Sequence, residues 1–144
     1  MVERTLKAPI EGVFDVLADH GNYKQFRAIS DSKLLRQGEP PPNGVGAVRW
    51  VAVPPMLRFT EEITGFDRPN GFEYLINKAN LPLEHHGGAV RLEPDGDRTK
   101  AVWTSSFSVP LTGGGPAGER VWELMLRRGF NRTLEDAERI AGAS

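Results

Sequence analysis

From Pro116 to Ala141 the sequence keeps one helical period without a break, which at 1.5 Å per residue predicts a helix about 39 Å long. On a helical wheel Trp122, Leu126, Gly129, Phe130, Thr133, Leu134, Ala137, Ile140 and Ala141 share one broad face. Arg120, Arg127, Arg128, Asn131, Arg132, Glu135, Glu138 and Arg139 share the other. A helix with so wide an apolar stripe needs a hydrophobic surface to lie on.

The preceding residues supply a sheet. Residues 2–8 alternate Val2, Arg4, Leu6 and Ala8 against Glu3, Thr5 and Lys7, the period of a strand. Pro9 then opens a short helix over Ile10–Ala18 with Ile10, Val13, Phe14 and Leu17 on one face, and a second helical piece is expected over Tyr23–Arg27. Beyond it the period becomes 2, and strands are predicted at 31–38, 45–53, 57–66, 72–78, 86–93 and 99–109. Pro, Gly, Asn and Asp clusters separate them. Strands joined this tightly are antiparallel, because a parallel pair needs a long crossover. The expected fold class is α+β: a curved antiparallel sheet wrapped around the C-terminal helix, in a single domain over residues 1–144.

In such a meander alternate connections lie at the same end. One end collects the polar turns 38–44, 67–71 and 94–97. The other collects Val53–Met56, Asn80–Glu84 and Gly113–Gly118, whose apolar members are unusual for exposed loops. Met56, Leu81 and Leu83 either ring a pocket mouth there or cap the core. Glu119 and Glu123 fall on the apolar side of the wheel near the helix start. They face either a pocket or, as acids in a first turn, the solvent.

Composition excludes several functions. The chain has no cysteine, hence no disulfide, thiolate catalysis or cysteine-ligated metal. With 18 basic and 19 acidic residues interleaved, it carries no electrostatic footprint for nucleic acid. An N-terminus without the apolar core of a signal peptide, and the lack of any run of about 20 apolar residues, lead to the expectation of a cytoplasmic protein without stable membrane insertion. Monomer and homodimer both remain open.

Candidate chemistry is sparse. Gly113–Gly118 matches the spacing G-x-G-x-x-G, but no parallel strand follows it, so a flexible hinge is expected instead of a nucleotide site. His85 and His86 are adjacent on a strand, point to opposite faces, and cannot easily share a metal; one of them, with His86 taken as the candidate, faces the interior as an acid or base, or both simply hydrogen-bond at the surface. The phase of Leu57, Phe59 and Ile63 turns Glu61 inward, either as a pocket acid or as a buried carboxylate satisfied by an arginine such as Arg49. Trp103 and Phe107 share a face of the last strand, and Tyr74 adds aromatic surface. His20 lies in a loop and suggests nothing further.

These elements, with Ala8-Pro9-Ile10-Glu11-Gly12-Val13-Phe14-Asp15-Val16-Leu17-Ala18-Asp19 at the start, resemble the START/Bet v 1-like superfamily. Further matches are Gly44-Val45-Gly46-Ala47-Val48-Arg49, Glu61-Glu62-Ile63-Thr64-Gly65-Phe66-Asp67 and Arg98-Thr99-Lys100-Ala101-Val102-Trp103, and the branch they look most like is the bacterial polyketide cyclase/dehydrase and lipid-transport group. The resemblance implies a helix-grip fold over a cavity for an apolar or amphipathic molecule, without cofactor or metal. It brings no catalytic constellation with it.

The expected function is to bind or carry a small hydrophobic ligand such as a lipid, polyketide or quinone. The expected ligand-binding residues are Met56, Phe59, Glu61, Leu81, Leu83, Trp103, Phe107, Trp122, Glu123, Leu126 and Phe130. The alternatives are a cyclase or dehydratase using Glu61, His86 and Tyr74, and a protein-interaction module with a vestigial cavity.

Overall fold

A computed structural model describes residues 1–142. The order is β1 (Val2–Leu6), α1 (Ile10–Leu17), a 3₁₀ segment (His20–Gln25), β2 (Asp31–Arg36), β3 (Val48–Val53), β4 (Leu57–Asp67), β5 (Gly71–Ala79), β6 (Glu84–Asp95), β7 (Arg98–Ser108), a 3₁₀ turn (Leu111–Gly113) and α2 (Gly115–Gly142). The seven strands form one antiparallel sheet ordered β1-β7-β6-β5-β4-β3-β2, so the first strand closes against the last. With α2 lying against it, this is a helix-grip fold, as expected. The strand bounds differ from the expected ones by a few residues, and β6 begins early enough to include both His85 and His86.

The sheet curves because its ladders slip. Register shifts occur at Thr60/Glu61 and Ile63/Gly65 between β4 and β5, and at His85/Gly87 between β6 and β7. Each extra residue bends its strand and increases local twist.

Two apolar clusters hold the sheet to α2. The larger joins Phe14 and Leu17 of α1, Tyr23, Phe72, Tyr74 and Trp103 to Leu134, Ala137 and Ala141 in the second half of α2. The smaller gathers Leu57, Val109 and Trp122, with Leu81, Leu83, Phe107 and Leu126 partly buried against it. Asp136, on the buried side of α2, accepts hydrogen bonds from the Arg27 backbone N–H at 2.8 Å and its Nε at 2.7 Å. A helix carboxylate thereby pins the segment after the first 3₁₀ turn.

The glycine run that leads into the first turn of α2 is packed, not a loose hinge. A Cβ on Gly118 would lie 2.3 Å from the Gly113 carbonyl oxygen, so the turn closes only because no side chain stands there.

Candidate functional site

Between the two clusters the concave side of the sheet and α2 enclose a cavity of about 110 Å³. A buried water needs roughly 10–15 Å³ of such space, so this room holds several waters or a small organic group. Its walls are largely apolar, with the hydroxyl-bearing Tyr23 and Thr133 and one charged pair, Arg49 and Glu61. Solvent reaches it along the flank of α2, where Met125 is exposed beside half-buried Ala28, Ile29 and Gly129. A smaller inner lobe of about 50 Å³ lies beyond it, towards Tyr74, Ile76, Leu83 and Ser105. Leu57, Phe59, Glu61, Trp122, Leu126 and Phe130 line both lobes and form the partition between them.

The charged pair is set by sheet register. Arg49 on β3 and Glu61 on β4 are direct cross-strand partners, and both are buried. The guanidinium donates to Glu61 Oε2 from Nε and Nη2. It also donates from Nη1 to His20 Nδ1 at 2.9 Å, and its carbon sits 4.1 Å from the centre of the Tyr23 ring. A guanidinium has no lone pair, so His20 Nδ1 is the acceptor and His20 Nε2 carries the proton donated to the Asn43 carbonyl at 3.1 Å. Burial first, and Arg49 second, hold His20 well below its ordinary pKa, so it is neutral. Burial pushes the Glu61 carboxyl up while Arg49 pulls it back. Burial likewise opposes the charge on Arg49, but Glu61 and Tyr23 beside it together outweigh burial and keep it above the usual arginine range.

A second polar chain borders the inner lobe. Trp103 Nε1 donates to the Tyr74 hydroxyl at 2.7 Å, and the Trp103 ring stacks on Phe130 of α2 with centroids 4.2 Å apart. Tyr74 in turn stacks on His85 at 5.6 Å, and its phenol is raised above the usual value, chiefly by burial. His85 Nδ1 accepts the backbone N–H of Ile76 at 2.9 Å, and its Nε2 lies 2.9 Å from Ser105 Oγ. The imidazole occupies the place of a ladder bond, since the β5–β6 pairing that starts at Gly71 and Arg91 ends at Tyr74 and Gly88. Burial lowers its pKa to about 4, with His86 adding to the effect. With Nδ1 committed as an acceptor, Nε2 must be protonated. His85 is therefore a donor to Ser105 and cannot act as its base.

Of the expected site residues, Phe59, Glu61, Trp103, Trp122, Leu126 and Phe130 line the main cavity, and Leu83 and Tyr74 line the inner lobe. Phe107 and Glu123 border a separate shallow groove instead. The Glu123 carboxylate is 62% exposed and pairs with Arg127; over residues 115–132 of α2 only Gly115 and Trp122 are buried. The wheel placed Glu123 inside; the structure places it in solvent. His86 is corrected in the same way. It is exposed and bonds Ser108 Oγ at 3.2 Å, and the bulge at His85/Gly87 turns His85 inward in its place. Met56 is 58% exposed and away from the cavity, while Leu81 packs on the smaller cluster, so these two belong to the capping arrangement.

Arg49 entered the sequence reading only as a partner for Glu61, and Tyr23, His20, His85 and Ser105 were not singled out for the site. The inward phase of Arg49, Val51 and Val53 on β3 was the one signal that could have found any of them. Among the described residues no group of three or more His, Cys, Asp or Glu side chains is placed to hold a metal ion, and no helix is long and apolar enough to cross a membrane.

The family model described as polyketide cyclase/dehydrase and lipid transport matches residues 1–139. Among solved structures, the Zhui aromatase/cyclase from Streptomyces sp. R1128 is 21% identical, with a TM-score of 0.80 over 98% of this chain and 91% of that one. The protein TTHA0849 from Thermus thermophilus is 18% identical, with a TM-score of 0.73 over 99% and 95%. A START superfamily protein from Mycobacterium smegmatis is 15% identical, with a TM-score of 0.70 over 99% and 98%. At these identities the likeness is one of fold. No curated protein sequence matches the chain significantly.

Proposed function

The chain belongs to the polyketide cyclase/dehydrase and lipid transport family, and within it we propose that this protein binds a small hydrophobic or amphipathic molecule in the cavity between its sheet and α2, as one domain. The observation that carries the reading is the wall: an apolar enclosure in which Arg49 and Glu61 are the only charged groups among the described residues. Burial of ligand surface supplies the affinity at roughly 25 cal/mol per Å², and the charged pair orients a polar end. Rotation of Phe59 or Leu126 in the partition merges the two lobes, so larger ligands fit by side-chain movement. Equilibrium dialysis of the protein against 1-naphthol tests this: saturable uptake near one molecule per chain supports it, and uptake no greater than that of a Gly129→Trp variant with the cavity plugged contradicts it.

A second reading, a cyclase or dehydratase, is favoured by two observations: the structural likeness to an aromatase/cyclase, and the presence of Glu61 and Tyr74 on the inner lobe. His85 contributes no general base to it, because both its nitrogens are committed. Turnover of an aromatic polyketide precursor that is lost in Glu61→Gln would establish this reading over simple carriage. The cavity itself speaks against the interaction module with a vestigial pocket.

A further inference from the structure

We propose that the inner lobe is a second polar subsite, in which the Tyr74 and Ser105 hydroxyls donate hydrogen bonds to a neutral carbonyl oxygen of the bound molecule. The inference rests on the cavity reading above and adds to it the chemistry of the ligand's deep end.

The proton of each hydroxyl is directed by a donor behind it. The Ile76 backbone N–H can only donate, so His85 Nδ1 accepts it. His85 Nε2 therefore carries the ring proton and donates to Ser105 Oγ. Ser105 is thus an acceptor on the side of β6, and its own proton must point elsewhere. On the other side of the lobe the Trp103 indole N–H, which is also only a donor, occupies the Tyr74 oxygen at 2.7 Å. The phenol proton is again left to point away from its partner. Among the described residues neither hydroxyl has an acceptor for its own proton, and both groups line the same lobe.

The frame that holds them is rigid. His85 is stacked on Tyr74 with 12° between the rings, and Trp103 is stacked on Phe130. Gly88 on β6 leaves room for the phenol, since a Cβ there would lie 2.5 Å from the Tyr74 oxygen. Two oriented donors, in a lobe whose other walls are apolar apart from Glu61, satisfy one or two lone pairs of an acceptor that has left its water behind. They discriminate against a molecule that lacks the acceptor, because a ligand filling the lobe without it leaves both hydroxyls unpaired. The Glu61 carboxylate lines the same lobe, so a neutral ketone, quinone or ester oxygen fits better there than a carboxylate or phenolate.

The test uses two probes of the same shape, 2-acetylnaphthalene and 2-isopropylnaphthalene, measured by equilibrium dialysis against the full chain. The wild type should take up the ketone about threefold to tenfold more tightly for each hydroxyl that engages it. Ser105→Ala should lose its share of that preference while its affinity for the hydrocarbon holds. Tyr74→Phe should do the same, provided its thermal unfolding remains cooperative, and Ser105→Ala decides the matter alone if it does not. Equal affinity of the wild type for both probes, or a ketone preference that survives Ser105→Ala undiminished, overturns this inference and leaves the cavity reading standing. Binding of neither probe overturns both.

Discussion

Arg49 and Glu61 face each other across β3 and β4 with both side chains buried, and the guanidinium divides its donors between that carboxylate and His20. A buried pair of this kind adds little by itself, but breaking it leaves a charge without a partner. Glu61→Ala is expected to lower unfolding stability by about 3–5 kcal/mol. The double substitution Arg49→Met with Glu61→Leu should recover most of that loss. Urea denaturation of the wild type and both variants checks both halves, and a double variant no more stable than Glu61→Ala would contradict the account.

Acid should loosen the fold through two histidines. His85, with a pKa near 4, and His20, well below its ordinary value, are neutral in the folded protein and titrate near 6.5 once unfolded. Between those values the unfolded chain binds more protons, so their contribution to stability declines as pH falls from about 6.5 towards 4. Glu61, raised by burial, works in the opposite sense. The share of His85 is therefore read as a difference: unfolding free energy should fall more steeply over this window in the wild type than in His85→Gln. Parallel curves would count against the bond from Ile76.

Gly129 lies mid-helix on the cavity wall, and nothing stands within 4 Å of where its Cβ would be. Gly129→Ala should therefore stabilise the protein by about 0.8–1 kcal/mol through helix propensity alone. Gly129→Trp should fill the cavity and cut ligand uptake at least tenfold while the fold persists. Thermal unfolding and equilibrium dialysis on the same two variants separate the two effects.

Much of this architecture was legible in the sequence. The switch from period 3.6 to period 2 marked the sheet, and the stripe from Trp122 to Ala141 marked the helix that it grips. Glu61 was legible as inward because Leu57, Phe59 and Ile63 keep its phase on one strand. What failed depended on register. A one-residue bulge reverses which of two neighbouring histidines faces inward, and no local pattern announces the bulge at His85/Gly87. Glu123 failed because the wheel drew the buried stripe too wide near the helix start: Trp122 is buried there, but Glu123, one position on, faces solvent and pairs with Arg127. His20 was passed over because its partner Arg49 is 29 residues away, and Asp136 because Arg27 is 109 residues away.

The central claim is that the cavity holds a hydrophobic molecule, and native mass spectrometry of the protein purified from its own host tests it most directly. The account predicts a defined apolar or amphipathic species at close to one per chain, displaced in Gly129→Trp. Protein that emerges empty, and that stays empty after incubation with lipids, quinones and aromatic polyketides, would contradict it.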